Sequence, residues 1–143
     1  MIPIKHLFHI SSPQEEVFDA LVNTSKLSAW YTSKVEGGNT QGDQLTFSFG
    51  EMKFIAEIEE LIQGTKLVWK GLQADVPVEG HRFIFELDRN GDKTRVRFTH
   101  EGYDEQDDSY ANMNYSWGKY LESLRQFCQR GKGEAFGSPA YRI

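Results

Sequence analysis

The sequence predicts an α+β domain: a curved antiparallel sheet with one wet and one apolar face, covered by a single long helix at the C-terminal end. Three observations lead there. Between residues 106 and 130, Tyr110, Met113, Trp117, Leu121, Leu124 and Cys128 recur at the spacing of one helix face, with Tyr120 and Phe127 widening the stripe. From residue 35 to residue 100 the apolar period is two instead, and the runs are broken at Gly37-Gly38-Asn39, Gly42-Asp43, Gly50, Gly64, Gly71, Gly80 and Asn90-Gly91. A one-sided sheet must bury its apolar face, and only the terminal helix matches it in size.

Residues 5–10 read as the first strand, with His6, Phe8 and Ile10 on one side and Leu7 and His9 on the other. Ser12, Pro13 and Glu15 then form a capping-box signal, which opens a short helix carrying Val17, Phe18, Leu21 and Val22 inward. Thr24 or Ser25 is the expected cap of a second short helix over 26–31, whose apolar side is Leu27, Trp30 and Tyr31.

Five further strands follow, over 44–49, 52–61, 65–70, 81–88 and 94–100. Their inner faces are Leu45, Phe47 and Phe49; Met52, Phe54, Ala56 and Ile58; Leu67 and Trp69; His81, Phe83, Phe85 and Leu87; and Val96 and Phe98. Lys, Glu and Arg dominate the alternate positions. Asn90-Gly91 is the strongest hairpin signal.

Asp104, Glu105, Asp107 and Asp108 crowd the start of the last helix, and Arg125, Arg130 and Lys132 sit near its end before Gly131 and Gly133, as the helix dipole favours. At 1.5 Å per residue it runs about 35 Å, the width of a small domain. Twisted antiparallel strands curl, so a straight rod across their concave side cannot touch them everywhere. A gap is expected between them. Residues 1–133 are read as one domain and 134–143 as a tail, which either frays or packs back through Phe136, Tyr141 and Ile143.

Several function classes are disfavoured. A net charge of -5, with 16 Lys and Arg scattered along the chain, gives no basic face for nucleic acid. No apolar run reaches the ~18 residues of a membrane span and residues 1–5 lack the core of a signal peptide, so a cytoplasmic location without membrane insertion is expected. The single Cys128 excludes an internal disulfide and reads as a small hydrophobe. No ligand spacing suggests a metal, and Gly37-Gly38-Asn39 precedes a strand, so it is no phosphate loop. No nucleophile elbow occurs and no cofactor is implied.

Particular stretches nevertheless resemble a known group. These are residues 12–18 (SPQEEVF), Leu27-Ser28-Ala29-Trp30, Leu67-Val68-Trp69, residues 94–103 (TRVRFTHEGY), and Trp117-Gly118 with Leu121 and Leu124. Together they are similar to the START-like (SRPBCC, Bet v 1-like) superfamily, and within it to the family of the activator of Hsp90 ATPase, over residues 4–133. The resemblance implies a helix-grip fold, with a cavity between curled sheet and long helix roofed by the two short helices. The superfamily spans carriers, cyclases, oxygenase subunits and co-chaperone domains, so fold alone does not choose among them.

The residues expected around that cavity are Trp30, Phe47, Phe49, Trp69, Phe83, Phe85, Phe98, Tyr110 and Trp117, each of which also reads as core packing. His81 and His100 join them if they share the Phe83 and Phe98 faces, as does His6 if it shares the Phe8 face: a neutral imidazole there could orient a ligand carbonyl or act as a base, whereas otherwise each reads as a rim or satisfied core histidine. Asn114, one turn from Tyr110, offers an amide that is either inward or exposed. The leading expectation is a non-enzymatic binder of a hydrophobic small molecule or lipid. The family resemblance implies instead a chaperone partner in a stress-response role, although the additional N-terminal domain of a full co-chaperone is not expected here. A third reading, a cyclase-like enzyme, expects His81→Ala or His100→Ala to abolish turnover. Monomer and homodimer both fit.

Overall fold

The computed structural model describes residues 1–142. Strands β1 (Ile2–Ile10), β2 (Lys34–Gly37), β3 (Gln44–Phe49), β4 (Met52–Ile62), β5 (Lys66–Ala74), β6 (Arg82–Asn90) and β7 (Lys93–Tyr103) form one antiparallel sheet of order β1-β7-β6-β5-β4-β3-β2. Helices α1 (Gln14–Val22) and α2 (Thr24–Trp30) follow β1, and α3 (Asp108–Arg130) closes the fold. This is the helix-grip arrangement. The strand missed in sequence is β2, only four residues long and mostly exposed, whose pattern carries no apolar alternation.

β1 also begins earlier than expected. Pro3 sits there without breaking the strand because β1 is a sheet edge with a register shift between Ile2 and Ile4, and an edge proline withholds no ladder bond. Two further register shifts, between Ile55 and Ala56 and between Ile58 and Glu60, bend the β4–β5 pair. The curl puts Phe47, Ala56, Ile58, Leu67, Trp69, Phe83, Phe85, Val96 and Phe98 together as a fully buried inner face. On the outer face, Arg82 grips Glu59 through two 2.9 Å bonds and Arg95 grips Asp88 through two 2.8 Å bonds.

The helix caps differ in detail from the sequence reading. Ser12 does not cap α1: Pro13 holds the cap position without a side-chain bond, while Ser12 Oγ donates to Glu16, not Glu15. α2 is capped by Asn23, whose carboxamide oxygen accepts from the Ser25 and Lys26 amides, instead of by Thr24 or Ser25. An Asn one residue earlier is an equally good cap, and the chain bends there to let α2 leave α1.

α3 opens on Asp107, which accepts from the Tyr110 amide at 3.0 Å, and ends on Gly131 at φ 79°, a left-handed cap suited to glycine. Its buried residues are Trp117, Tyr120, Leu121, Ser123 and Leu124. The preceding turns are largely exposed. After it the chain packs back. Ser123 Oγ accepts from the Glu134 amide, the Phe136 amide donates to the Tyr31 carbonyl at 3.0 Å, and the Ser33 amide donates to the Phe136 carbonyl at 2.9 Å. Phe136 rests on Phe49, and Tyr141 stacks on Tyr120. Ile143 lies outside the described residues.

Candidate functional site

Between α3 and the sheet a cavity of about 150 Å³ remains. Phe49 at the end of β3, Met52 and Phe54 on β4 and Phe83 on β6 form its sheet side. Val76 and Val78 from the loop after β5 close one flank, and Met113, Trp117 and Tyr120 of α3 form the opposite wall. Lys53, Asp75, Asn112 and Ser116 supply its polar groups. The loop is tied down by two bonds: the Lys53 amide donates to Asp75 Oδ2 at 2.9 Å, and the Asp75 amide to the Lys53 carbonyl at 3.2 Å.

At the inner end lies Tyr31, the residue that ends α2. Its ring lies parallel to Trp117, with centroids 5.5 Å apart, and meets Phe47, Phe49 and Tyr120 edge-on at 5.0, 5.2 and 5.0 Å. Trp69 lies 5.8 Å away on the sheet side. Offset and edge-on pairs of this kind are the favourable aromatic geometries. Burial pushes the Tyr31 phenol well above its usual range, and no hydrogen bond contributes to the shift. A neutral hydroxyl is therefore retained in the hollow.

Of the aromatics expected around the cavity, Phe49, Phe83 and Trp117 line it. Phe47 and Trp69 stand one layer behind, against Tyr31. Phe85 and Phe98 pack beneath Trp117, with Phe98 4.4 Å from it, as core. Trp30 is fully buried where α1 meets α2, its indole donating to the Ala20 carbonyl at 2.8 Å. Tyr110 does not turn inward: its hydroxyl donates to the Pro3 carbonyl at 3.1 Å and its ring packs on Tyr103. Asn114 is exposed and accepts from His6 Nε2 at 2.9 Å, which ties α3 to β1 outside the cavity. Both meet the β1–β7 side of the sheet, Tyr110 through Pro3 and Tyr103 and Asn114 through His6, and not the cavity.

The two inner histidines also stand outside the cavity wall. Trp117 Nε1 donates to His100 Nδ1 at 3.1 Å, and His100 Nε2 lies 2.9 Å from His81 Nδ1. An indole N–H can only donate, so His100 Nδ1 is bare and its proton sits on Nε2, which donates to His81. His81 Nδ1 is then an acceptor and its own proton is on Nε2. Burial first, and His81 second, bring the His100 pKa down to about 3. Both nitrogens of His100 are thus engaged within the protein, and it has no lone pair to offer a ligand. Its effect is to fix the rotamer of Trp117, a wall of the cavity. Gly102 makes room for this pair: at φ 138°, a Cβ there would lie 2.3 Å from His81 Cδ2.

Tyr31, Met52, Phe54, Met113 and Tyr120 also line the cavity and were not expected as ligand contacts, although each sits on an apolar face legible in the sequence. Asp75, Val76 and Val78 carried less signal, since a loop has no period, and Lys53 lies on β4 at a position that reads as its polar face. Among the described residues, no cluster of three or more His, Cys, Asp or Glu is placed to hold a metal ion. Burial raises the Cys128 thiol to about 12, which keeps it protonated. No helix is long and apolar enough among the described residues to cross a membrane.

The fold and its cavity define a helix-grip domain of the START-like class. Residues 11–129 match the family described as Activator of Hsp90 ATPase homolog 1-like protein, and the chain belongs to that family. The Aha1 dimer from Colwellia psychrerythraea superposes with a TM-score of 0.86 at 28% identity, over 93% of this chain and 100% of that one. SSP2350 from Staphylococcus saprophyticus shares the fold at 19% identity and TM-score 0.78, covering 92% and 95% of the two chains. CalU16 from Micromonospora echinospora does so at 19% and 0.76, covering 96% and 77%. No curated protein matches the chain.

Proposed function

We propose that this protein binds a hydrophobic small molecule in the hollow between α3 and the sheet, without chemistry on it. The supporting observation is the make-up of that hollow: Phe49, Phe54, Val76, Val78, Phe83, Met113 and Trp117 present apolar surface to about 150 Å³ of space, with a few polar groups beside them. Such walls gain from any apolar surface brought against them, and the few polar groups set its orientation. Native mass spectrometry with a panel of lipids, flavonoids and simple aromatics tests the reading. Uptake that disappears in Phe83→Asp, with folding retained, supports it; absence of uptake from the whole panel removes it.

A second reading is supported by the family itself and by the 28% identity to an Aha1 protein. In it the domain docks on an Hsp90-type chaperone as an interaction module. A pull-down with Hsp90 followed by an ATPase assay decides it, and neither capture nor a change in turnover would leave the small-molecule reading alone.

A further inference from the structure

The hollow is narrow, and Tyr31 makes it so. About 150 Å³ is the size of an engineered apolar cavity that accepts one benzene. A fused polycycle or an acyl chain would protrude from it. The Tyr31 ring fills what would otherwise be a deeper cleft, standing between Phe47 of the sheet and Trp117 and Tyr120 of the helix. Tyr31 is 4% exposed and lines the cavity, and among the described residues no hydrogen bond is made to its hydroxyl, which is not one of the fully buried side-chain atoms left without a partner. The hydroxyl therefore opens on the hollow with its donor and acceptor capacity free. A guest seated there can supply the partner that the protein does not.

We propose that the cavity selects a neutral ligand of one aromatic ring bearing a hydroxyl or carbonyl oxygen, and that this oxygen pairs with the Tyr31 hydroxyl. The inference rests on the small-molecule reading above and narrows it. A ring is favoured because Phe49, Phe83 and Trp117 offer edges and faces to it. Neutrality follows from the walls: Lys53 and Asp75 bring one charge of each sign, so the site has no net charge to hold an ion. A phenol and an aryl ketone are equivalent guests, since the tyrosine hydroxyl both donates and accepts.

The test is a calorimetric or NMR titration of the whole chain with p-cresol, acetophenone, toluene, 2-naphthol and palmitate, repeated on Tyr31→Phe and Tyr31→Ala. The wild type is expected to bind p-cresol and acetophenone about 3- to 10-fold more tightly than toluene, the range one net hydrogen bond spans. In Tyr31→Phe, which keeps the ring, that preference falls to about onefold while toluene still binds. In Tyr31→Ala, 2-naphthol gains affinity. Equal binding of p-cresol and toluene by the wild type, or a preference that survives in Tyr31→Phe, overturns the proposal. Palmitate or 2-naphthol binding the wild type as tightly as p-cresol overturns it too, yet leaves the small-molecule reading standing. Failure of every probe against the folded wild type and Tyr31→Ala overturns both.

Discussion

His100 shows what a single side chain contributes when its surroundings fix its protonation. In the folded protein it titrates near pH 3, whereas an unperturbed imidazole titrates near 6.5. Between these values the unfolded chain holds the extra proton, so the stability that depends on this histidine is complete above about pH 6.5 and declines by about 1.4 kcal/mol per pH unit below it. His81, whose pKa burial also lowers, acts in the same direction. Urea unfolding at pH 7 and pH 5 should therefore differ by roughly 2 kcal/mol. The carboxylates held low, Asp88 by Arg95 and Glu122 by Arg125, each at about 2, add their share only below the usual carboxylate range. A flat profile between pH 6.5 and 5 would contradict neutral burial of the pair. The alternation of β6 and β7 pointed both imidazoles inward in the sequence reading, but their bond to each other and to Trp117 depends on a cross-strand register and on Gly102, which no local pattern displays.

At the level of elements, α3 and the segment behind it carry the most specific expectations. Asp107 is the side-chain cap of α3, so Asp107→Ala should lower the unfolding free energy by about 1 kcal/mol, read from the denaturant midpoint. Gly133 lies against α2: a Cβ there would come 2.7 Å from the Ala29 carbonyl and 2.9 Å from Ser123 Oγ. Gly133→Ala should displace the returning segment and cost about 1–2 kcal/mol, with chemical-shift changes at Phe136 and Tyr31. No such changes would mean that the segment is not seated as described. The long helix was legible because twenty-odd residues of one period outweigh local noise. β2 was not, since four residues, three of them exposed, have no period to show, and the caps at Pro13 and Asn23 moved by one position because several residues nearby could serve.

At the scale of the whole molecule, the order of elements and the apolar inner face of every long strand were readable, which is why fold and family followed from the chain. The shape of the hollow was harder to anticipate. A mismatch between a curled sheet and a straight rod implies a gap without placing it, and how much is left depends on Tyr31, a residue at a helix end where periodicity stops. The inner aromatics divided accordingly, with Phe49, Phe83 and Trp117 on the cavity and Phe85 and Phe98 in solid core. Identical alternation produced both outcomes. Depth along the strand, and not face, separated them.

The contact between Phe136 and Tyr31 bears on how the protein should be handled. Because the Phe136 amide holds the carbonyl of the residue that blocks the cleft, a displacement of the returning segment would reach Tyr31. A purification tag fused after residue 143 risks altering uptake measurements, whereas Met1, 78% exposed at the start of an edge strand, tolerates one.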